Sequence, residues 1–241
     1  GHPACDATYG PFTRFFGVSP DGRWMVYSTR KRRGILRLDF ETRRIDTLAA
    51  ACGVQSAAVS PDGPLVTAIG FCGDDKKESL YMLRPDGSGL RRLKTTPDDE
   101  LQQYASLSPD GAQIAFSLHH AVMIMDTSDT PTSITVRGDY PAWSRDRQWV
   151  AFLNDDFPNG KSEIHIMRRD GSHHRVVFVN RVRTGFPNGF GSTREGTAMP
   201  PMVWSPDGSA LAFSRIFGAG TSIWRVDIAT GTLRAITAPA K

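Results

Sequence analysis

The sequence predicts an all-β protein folded as a five-bladed β-propeller of four-stranded antiparallel blades, with a six-bladed ring holding one incomplete blade as the alternative. Three observations carry this. Ser-Pro-Asp-Gly recurs at 19–22, 60–63, 108–111 and 205–208, with a decayed copy at Ser144-Arg145-Asp146-Arg147. The second positions of the copies fall at 20, 61, 109, 145 and 206, giving spacings of 41, 48, 36 and 61, which bracket the about 40–50 residues of a four-stranded blade. No stretch of useful length has helical periodicity.

The elements follow in order from the copies. Just past each turn lie Met25-Val26-Tyr27, Val66-Thr67-Ala68, Ile114-Ala115-Phe116, Val150-Ala151-Phe152 and Leu211-Ala212-Phe213. Large, small and aromatic residues in near-fixed columns imply equivalent packing in each copy. A polar loop comes next, then a second apolar strand: Ile35–Leu38, Leu80–Leu83, Val122–Met125, Ile164–Met167 and Ile223–Val226. Turns such as Asp86-Gly87 and Asp170-Gly171 follow, and Asp-Gly is a strong hairpin signal. A fourth strand closes most repeats, as at Leu90–Leu93 and Leu233–Thr237. Each repeat is then a meander of strands a to d, with Ser-Pro-Asp-Gly joining a to b; Pro suits the second position of such a turn, and Asp and Gly its tight end. One meander cannot bury both faces, whereas a ring of meanders buries each against its neighbour. The repeats run over about 13–52, 53–100, 101–138, 139–197 and 198–241 of one domain, and residues 1–12 could add a ring-closing strand.

Trp204 to Phe213, Trp-Ser-Pro-Asp-Gly-Ser-Ala-Leu-Ala-Phe, resembles the repeat of TolB-type propellers, a unit also found in the propellers of prolyl oligopeptidase relatives. The resemblance covers about residues 13–241. It implies the fold and says little about function, since this repeat serves many unrelated proteins. It also implies six blades for TolB itself against the five repeats counted, and neither a hydrolase domain nor TolB's separate N-terminal domain is present in these residues.

Composition narrows the function classes. Of 241 residues, 39% are hydrophobic and 22% charged, as in ordinary globular proteins. The net charge of +4 is small and scattered, whereas nucleic-acid binding calls for a concentrated basic face. No stretch approaches the about 20 apolar residues of a membrane span, and no signal peptide is present. Gly1-His2-Pro3, without Met, reads as the scar of a removed tag on a mature form lacking its leader. The expected location is periplasmic or secreted, and the expected state monomeric.

Propeller geometry places the b–c loops and d–a connections on one face, where the inner strands begin. The b–c loops carry Arg30 and Arg32, Asp74-Asp75, His119-His120, Asp155-Asp156 and Arg215; the d–a connections carry Asp139-Tyr140. The last connection, Asn180 to Pro201, holds Arg181, Arg183, Phe186, Phe190 and Arg194 among glycines. Long connections of this kind are functional or disordered, so it is either a lid over the channel or a surface excursion. We take Arg30, Arg32, Tyr140, Arg181, Arg183, Phe186, Phe190, Arg194 and Arg215 as candidate binding residues. Asp139, His119 and His120 are the candidate catalytic residues. Adjacent strand residues point to opposite sides, so at most one of the two histidines easily faces the channel. His165 reads as a packed strand residue, and His173-His174 as solvated. Cys52 and Cys72 map to one face of neighbouring segments and form a candidate disulfide, with Cys5 as rival partner; such a bond would imply an oxidising compartment.

Catalytic and metal signatures are sparse. CxxC and HExxH patterns are lacking, as is a G-x-S-x-G elbow. The acidic pairs could offer oxygens to a loop-bound cation but lack the alternating spacing of an EF-hand, so no cofactor and no protein-bound metal are expected. Glycoside hydrolysis would need two carboxylates about 5–10 Å apart, and Asp139 has no evident second on the inner strands. The reading is therefore a binding module for a protein, peptide or small ligand at the channel mouth, more than an enzyme. A small-molecule hydrolase, lyase or cyclase using the channel is the alternative, and a propeller domain cut from a larger protein a third.

Overall fold

The computed structural model describes residues 14–28, 34–60, 62, 65–73, 79–93, 101–128, 134–156, 161–181, 198–217 and 220–237. All regular structure among them is β. The first sheet is β1 (Arg14–Val18), β2 (Trp24–Ser28), β3 (Gly34–Asp39) and β4 (Ile45–Ala50); the second is β5 (Cys52–Val59), β6 (Val66–Cys72), β7 (Ser79–Leu83) and β8 (Arg91–Arg92). The third holds β9 (Leu101–Leu107), β10 (Gln113–Leu118), β11 (Ala121–Asp126) and β12 (Ile134–Arg137), and the fourth β13 (Asp139–Trp143), β14 (Trp149–Asp156), β15 (Lys161–Arg168) and β16 (Arg175–Arg181). The fifth is β17 (Ala198–Trp204), β18 (Ala210–Phe217), β19 (Gly220–Asp227) and β20 (Leu233–Ala235). In each sheet the strands lie in sequence order, the antiparallel meander that the repeated turns predict.

The protein divides into two compact units that part within the third sheet, one taking residues up to Ile114 together with Met125–Pro131, the other Ala115–Ile124 and everything from Thr132. In the first unit the inner strands β1, β5 and β9 follow one another side by side, and in the second β13 packs on β17. The core lies between successive sheets. Val26, Ile35, Leu48, Val66 and Leu83 fill the space between the first and second. Ala151, Leu153, Ile164, Trp204, Leu211 and Phe213 fill that between the fourth and fifth. Middle strands such as β7 and β10 are buried along their whole length, so they read as apolar runs and not as alternating strands.

The repeated turn is built alike at Ser19, Ser108 and Ser205, whereas the Ser60 hydroxyl donates to the Pro109 C=O at 2.9 Å. At Ser19, the backbone carbonyl accepts the Gly22 N–H at 2.9 Å, the hydroxyl donates to Asp21 Oδ1 at 2.6 Å, and that hydroxyl accepts the Trp24 N–H at 3.0 Å. Ser108 and Ser205 repeat all three bonds. The fourth residue sits at positive φ, at 69° for Gly22 and 70° for both Gly111 and Gly208, where glycine carries no Cβ penalty. In the decayed copy Arg147 takes that conformation, at 63°.

The outer strands differ from expectation at their ends. The expected Leu90–Leu93 shortens to β8 and Leu233–Thr237 to β20, because an outer strand has a partner on one side only and its pairing thins. Leu93 N–H still donates to Leu80 C=O at 2.8 Å. The long last connection yields residues to strand at both ends, since β16 runs through Arg181 and β17 begins at Ala198.

Candidate functional site

The inner strands β1, β5, β13 and β17 each lose register against their second strand near their beginnings, as between Asp139 and Ala142 on β13. Such bulges re-aim side chains and gather beside functional sites. At β13 the irregularity sits among sequence-predicted candidates. Tyr140 is held at φ 58° and its N–H donates to the buried hydroxyl of Ser117 on β10 at 3.0 Å. A non-glycine residue at positive φ costs roughly 1–2 kcal/mol, so the surrounding bonds must enforce it.

His119 and His120 are the two central residues of the turn from β10 to β11, at φ 48° and 60°, the signature of a type I′ hairpin. The turn brings His120 back over the start of β13. Its C=O accepts the Gly138 N–H at 2.8 Å, and its Nδ1–H donates to Asp139 Oδ2 at 2.9 Å. The two partners differ in environment. His120 is 73% exposed and Asp139 18%. Asp139 Oδ1 is buried with no hydrogen-bond partner among the described residues. An ionised carboxylate seeks several donors, so this one is under-satisfied. Below it, a Cβ on Gly138 would come 2.4 Å from Phe152 Cδ2, so only glycine lets the strand approach that ring. The corner thus holds a carboxylate with unmet capacity, an exposed imidazole bonded to it, and a strained backbone.

The other candidates lie apart from this corner in character. Arg215 on β18 is buried, with Cζ 4.7 Å from the Trp224 ring centre and 5.6 Å from that of Phe178. Burial lowers its pKa from the ordinary value, and the faces of the two rings favour its charge. Arg181 closes β16 opposite Lys161, its side chain outside the described residues. Arg30, Arg32, Arg183, Phe186, Phe190 and Arg194 also lie outside them, as do Asp74, Asp75 and the side chains of Asp155 and Asp156. Cys52 and Cys72 face one another across β5 and β6, Cα atoms 4.1 Å apart, and are joined in a disulfide. The Cys72 N–H donates to Tyr81 Oη at 3.2 Å. Among the described residues no group of three or more His, Cys, Asp or Glu is arranged to hold a metal ion, and no helix is long and apolar enough to cross a membrane.

Sequence reasoning missed one cluster, in which Glu163, His165 and His174 are hydrogen-bonded in series. The only signal available was the i, i+2 spacing of Glu163 and His165, which puts both on one face of β15.

No family model matches the sequence. Dipeptidyl-peptidase 5 of Porphyromonas gingivalis is 25% identical over 157 residues, which cover 62% of this chain and 21% of that protein; the match thus spans about a fifth of this relative's length. Among solved structures, a protein described as a TolB from Agrobacterium tumefaciens superposes with a TM-score of 0.67 at 19% identity, covering 94% of this protein and 81% of its own length. TolB from Acinetobacter baumannii gives 0.64 at 13%, covering 96% and 55%. Oligogalacturonate lyase from Vibrio parahaemolyticus also gives 0.64, at 12%, covering 97% and 68%. These likenesses show the fold, that of the TolB-type β-propellers, and the neighbours include both TolB proteins and enzymes.

Proposed function

We propose that the protein is a TolB-like binding module whose five sheets are the blades of one ring, with a protein, peptide or small-molecule site on the loop-rich face where the inner strands begin. The observation that carries this is the corner built from His120, Asp139 and Tyr140. Its buried, under-satisfied carboxylate oxygen and strained backbone are held in place by bonds from a separate hairpin, and such costs persist where function uses them. The proposed binding calls on no cofactor, and the unit acts as a monomer. The disulfide between Cys52 and Cys72 supports an oxidising compartment, periplasmic or extracellular.

A second reading, an enzyme acting on a small molecule, draws on the same pair. A histidine bonded to a carboxylate can serve as general base once the carboxylate fixes its tautomer. One experiment addresses both readings: soaking the protein with a metabolite mixture and a library of short peptides, in the parent and in Asp139→Asn. Bound density at the corner in the parent, weakened at least tenfold in affinity in the variant, is the expected result. Chemical conversion of a component by the parent alone would favour the enzyme. Ligands that bind elsewhere with affinities unchanged by Asp139→Asn would overturn the assignment of the site.

A further inference from the structure

The fourth sheet holds a second histidine–carboxylate assembly away from the His120 corner. His165, in the middle of β15, is 7% exposed. Its Nε2 lies 3.0 Å from Glu163 Oε2 on the same strand, and its Nδ1 lies 2.8 Å from His174 Nε2. His174 comes from the turn between β15 and β16 and is exposed. The His165 ring stacks on the fully buried Phe152 of β14, with centroids 5.3 Å apart. Both nitrogens of a nearly buried imidazole are therefore engaged, one toward an acid and one toward a second imidazole that reaches solvent.

Donor counting fixes the proton positions. An ionised Glu163 can only accept, so His165 Nε2 carries a hydrogen and donates it. A neutral His165 then has a bare Nδ1, which must accept from His174 Nε2–H. That leaves the bare Nδ1 of His174 as the open end of the series. We propose that Glu163, His165 and His174 form a proton relay from solvent into the fourth sheet, closed when it carries no extra proton or one and opened by a second.

The first proton forms an N–H bond at His174 Nδ1. The Nε2–H proton of His174 passes to His165 Nδ1, breaking one N–H bond and forming another. The net charge of the three groups rises from −1 to 0, with the imidazolium beside Glu163 and every donor still facing an acceptor. The second proton gives both facing nitrogens a hydrogen at 2.8 Å, with no lone pair between them, so that contact parts. Partial desolvation of this solvent-reaching ring, followed by the charge of His165, pulls the His174 pKa below its ordinary 6.5. The sign follows: the fold disfavours the charged ring, so the contribution of this contact is full above the ordinary value and is lost as pH falls below it through the lowered one.

On β15 itself the exposed Lys161 stands on the same face as Glu163, and the packed elements add little that competes for these protons. Phe152 from β14 is apolar, and Val176 and Val179 of β16 stand opposite His165 and Glu163. Val136 of β12 packs on the same cluster as Phe152, so Thr135 and Arg137 point to the other side of that strand. In the turn, the Asp170 carboxylate accepts the Ser172 N–H and His173 is bonded to Ser172. Arg168 lies over Trp149, and Arg175 donates to Ile228 C=O.

The test is a titration of the 241-residue chain, labelled with 15N-histidine, from about pH 8 to pH 4.5, reading tautomers by long-range proton–nitrogen correlation. The six histidines are assigned by single His→Gln variants. Expected are Nε2–H tautomers for both His165 and His174 at the alkaline end. Their signals should move together in two steps more than about one pH unit apart, with amide exchange in the 169–174 turn rising only in the second. Glu163→Gln keeps an acceptor but removes the charge, and should lower the affinity for the first proton about tenfold, one pH unit. An Nδ1–H tautomer at His165, or independent titration of the two rings, would overturn the relay. The unsubstituted protein decides this even if a variant fails to fold.

Discussion

Two aspartates stand at the two ends of β13 and meet different demands. Asp146, in the turn that leaves the strand, accepts the Ser144 hydroxyl at 2.5 Å and the Gln148 N–H at 3.0 Å through Oδ1. Asp139, where the strand begins, accepts from a histidine of another hairpin through Oδ2 and has its other oxygen buried and unpartnered among the described residues. The first carboxylate is served by donors two residues away in either direction, so it stabilises the turn. The second depends on a partner far along the sequence. A carboxylate satisfied by its own turn is scaffold, whereas one held under-satisfied by distant structure is a candidate for function. Asp207 shows the scaffold case most fully, its pKa drawn down to about 2 by the Ser205 hydroxyl and then by Ser209.

The comparison breaks most easily at Gly138. A methyl group there would meet Phe152 Cδ2 at 2.4 Å and Leu153 C=O at 2.8 Å, with φ at 154°. Crowding a filled core and forcing a Cβ onto this backbone together cost about 3 kcal/mol. Gly138→Ala should therefore lower the urea unfolding midpoint sharply and shift the His120 signals. Gly22→Ala shares the positive φ but meets nothing within 4 Å, so about 1 kcal/mol is expected there. Equal losses in the two variants would show that the corner is not under special constraint.

These two glycines also mark what could be read in the sequence. Gly22 belongs to a tetrapeptide that repeats, and repetition exposed the turns, the strands that follow them and the columns Val26, Ile114, Val150 and Leu211. The bonds of a Ser-Pro-Asp-Gly turn close within five residues, so they survive without knowledge of the fold. The corner was legible only as separate parts. His120 and Asp139 were each named, but their meeting depends on two adjacent histidines adopting positive φ in a tight hairpin, which local preference disfavours. The relay was hidden for a similar reason: the register shift between Ile164 and His165 accompanies the His174 contact, and no local pattern announces it. Arg215 was read as a loop residue, yet it lies within β18, and its burial depends on Phe178 from a different sheet.

On the scaffold side, Ser144 is the next most sensitive position. Its hydroxyl is wholly buried, donates to Asp146 and accepts the Trp149 N–H at 2.9 Å. Ser144→Ala leaves a backbone donor without its partner, at a cost of about 1–2 kcal/mol. The His120–Asp139 contact, five residues away on the same strand, should be unmoved in its NMR signature. A concerted shift at His120 would mean that the two ends of β13 form one unit and that the distinction between scaffold and site is misplaced.

The smallest effect should be a gain. Arg147 occupies the position filled by glycine in the intact turns, at φ 63°, and its N–H reaches Ser144 C=O at 3.2 Å where Gly111 reaches Ser108 at 2.8 Å. The left-handed conformation costs a residue with a Cβ roughly 1–2 kcal/mol, and glycine gives back about 0.5–1 kcal/mol through its greater freedom in the unfolded state. Arg147→Gly should thus stabilise the protein by about 0.5–1 kcal/mol, read as a higher urea midpoint with an unchanged slope. A loss would show that the guanidinium and its stem at Arg147 contribute more than the backbone conformation costs, and that this fourth turn has diverged to hold something the other turns do not.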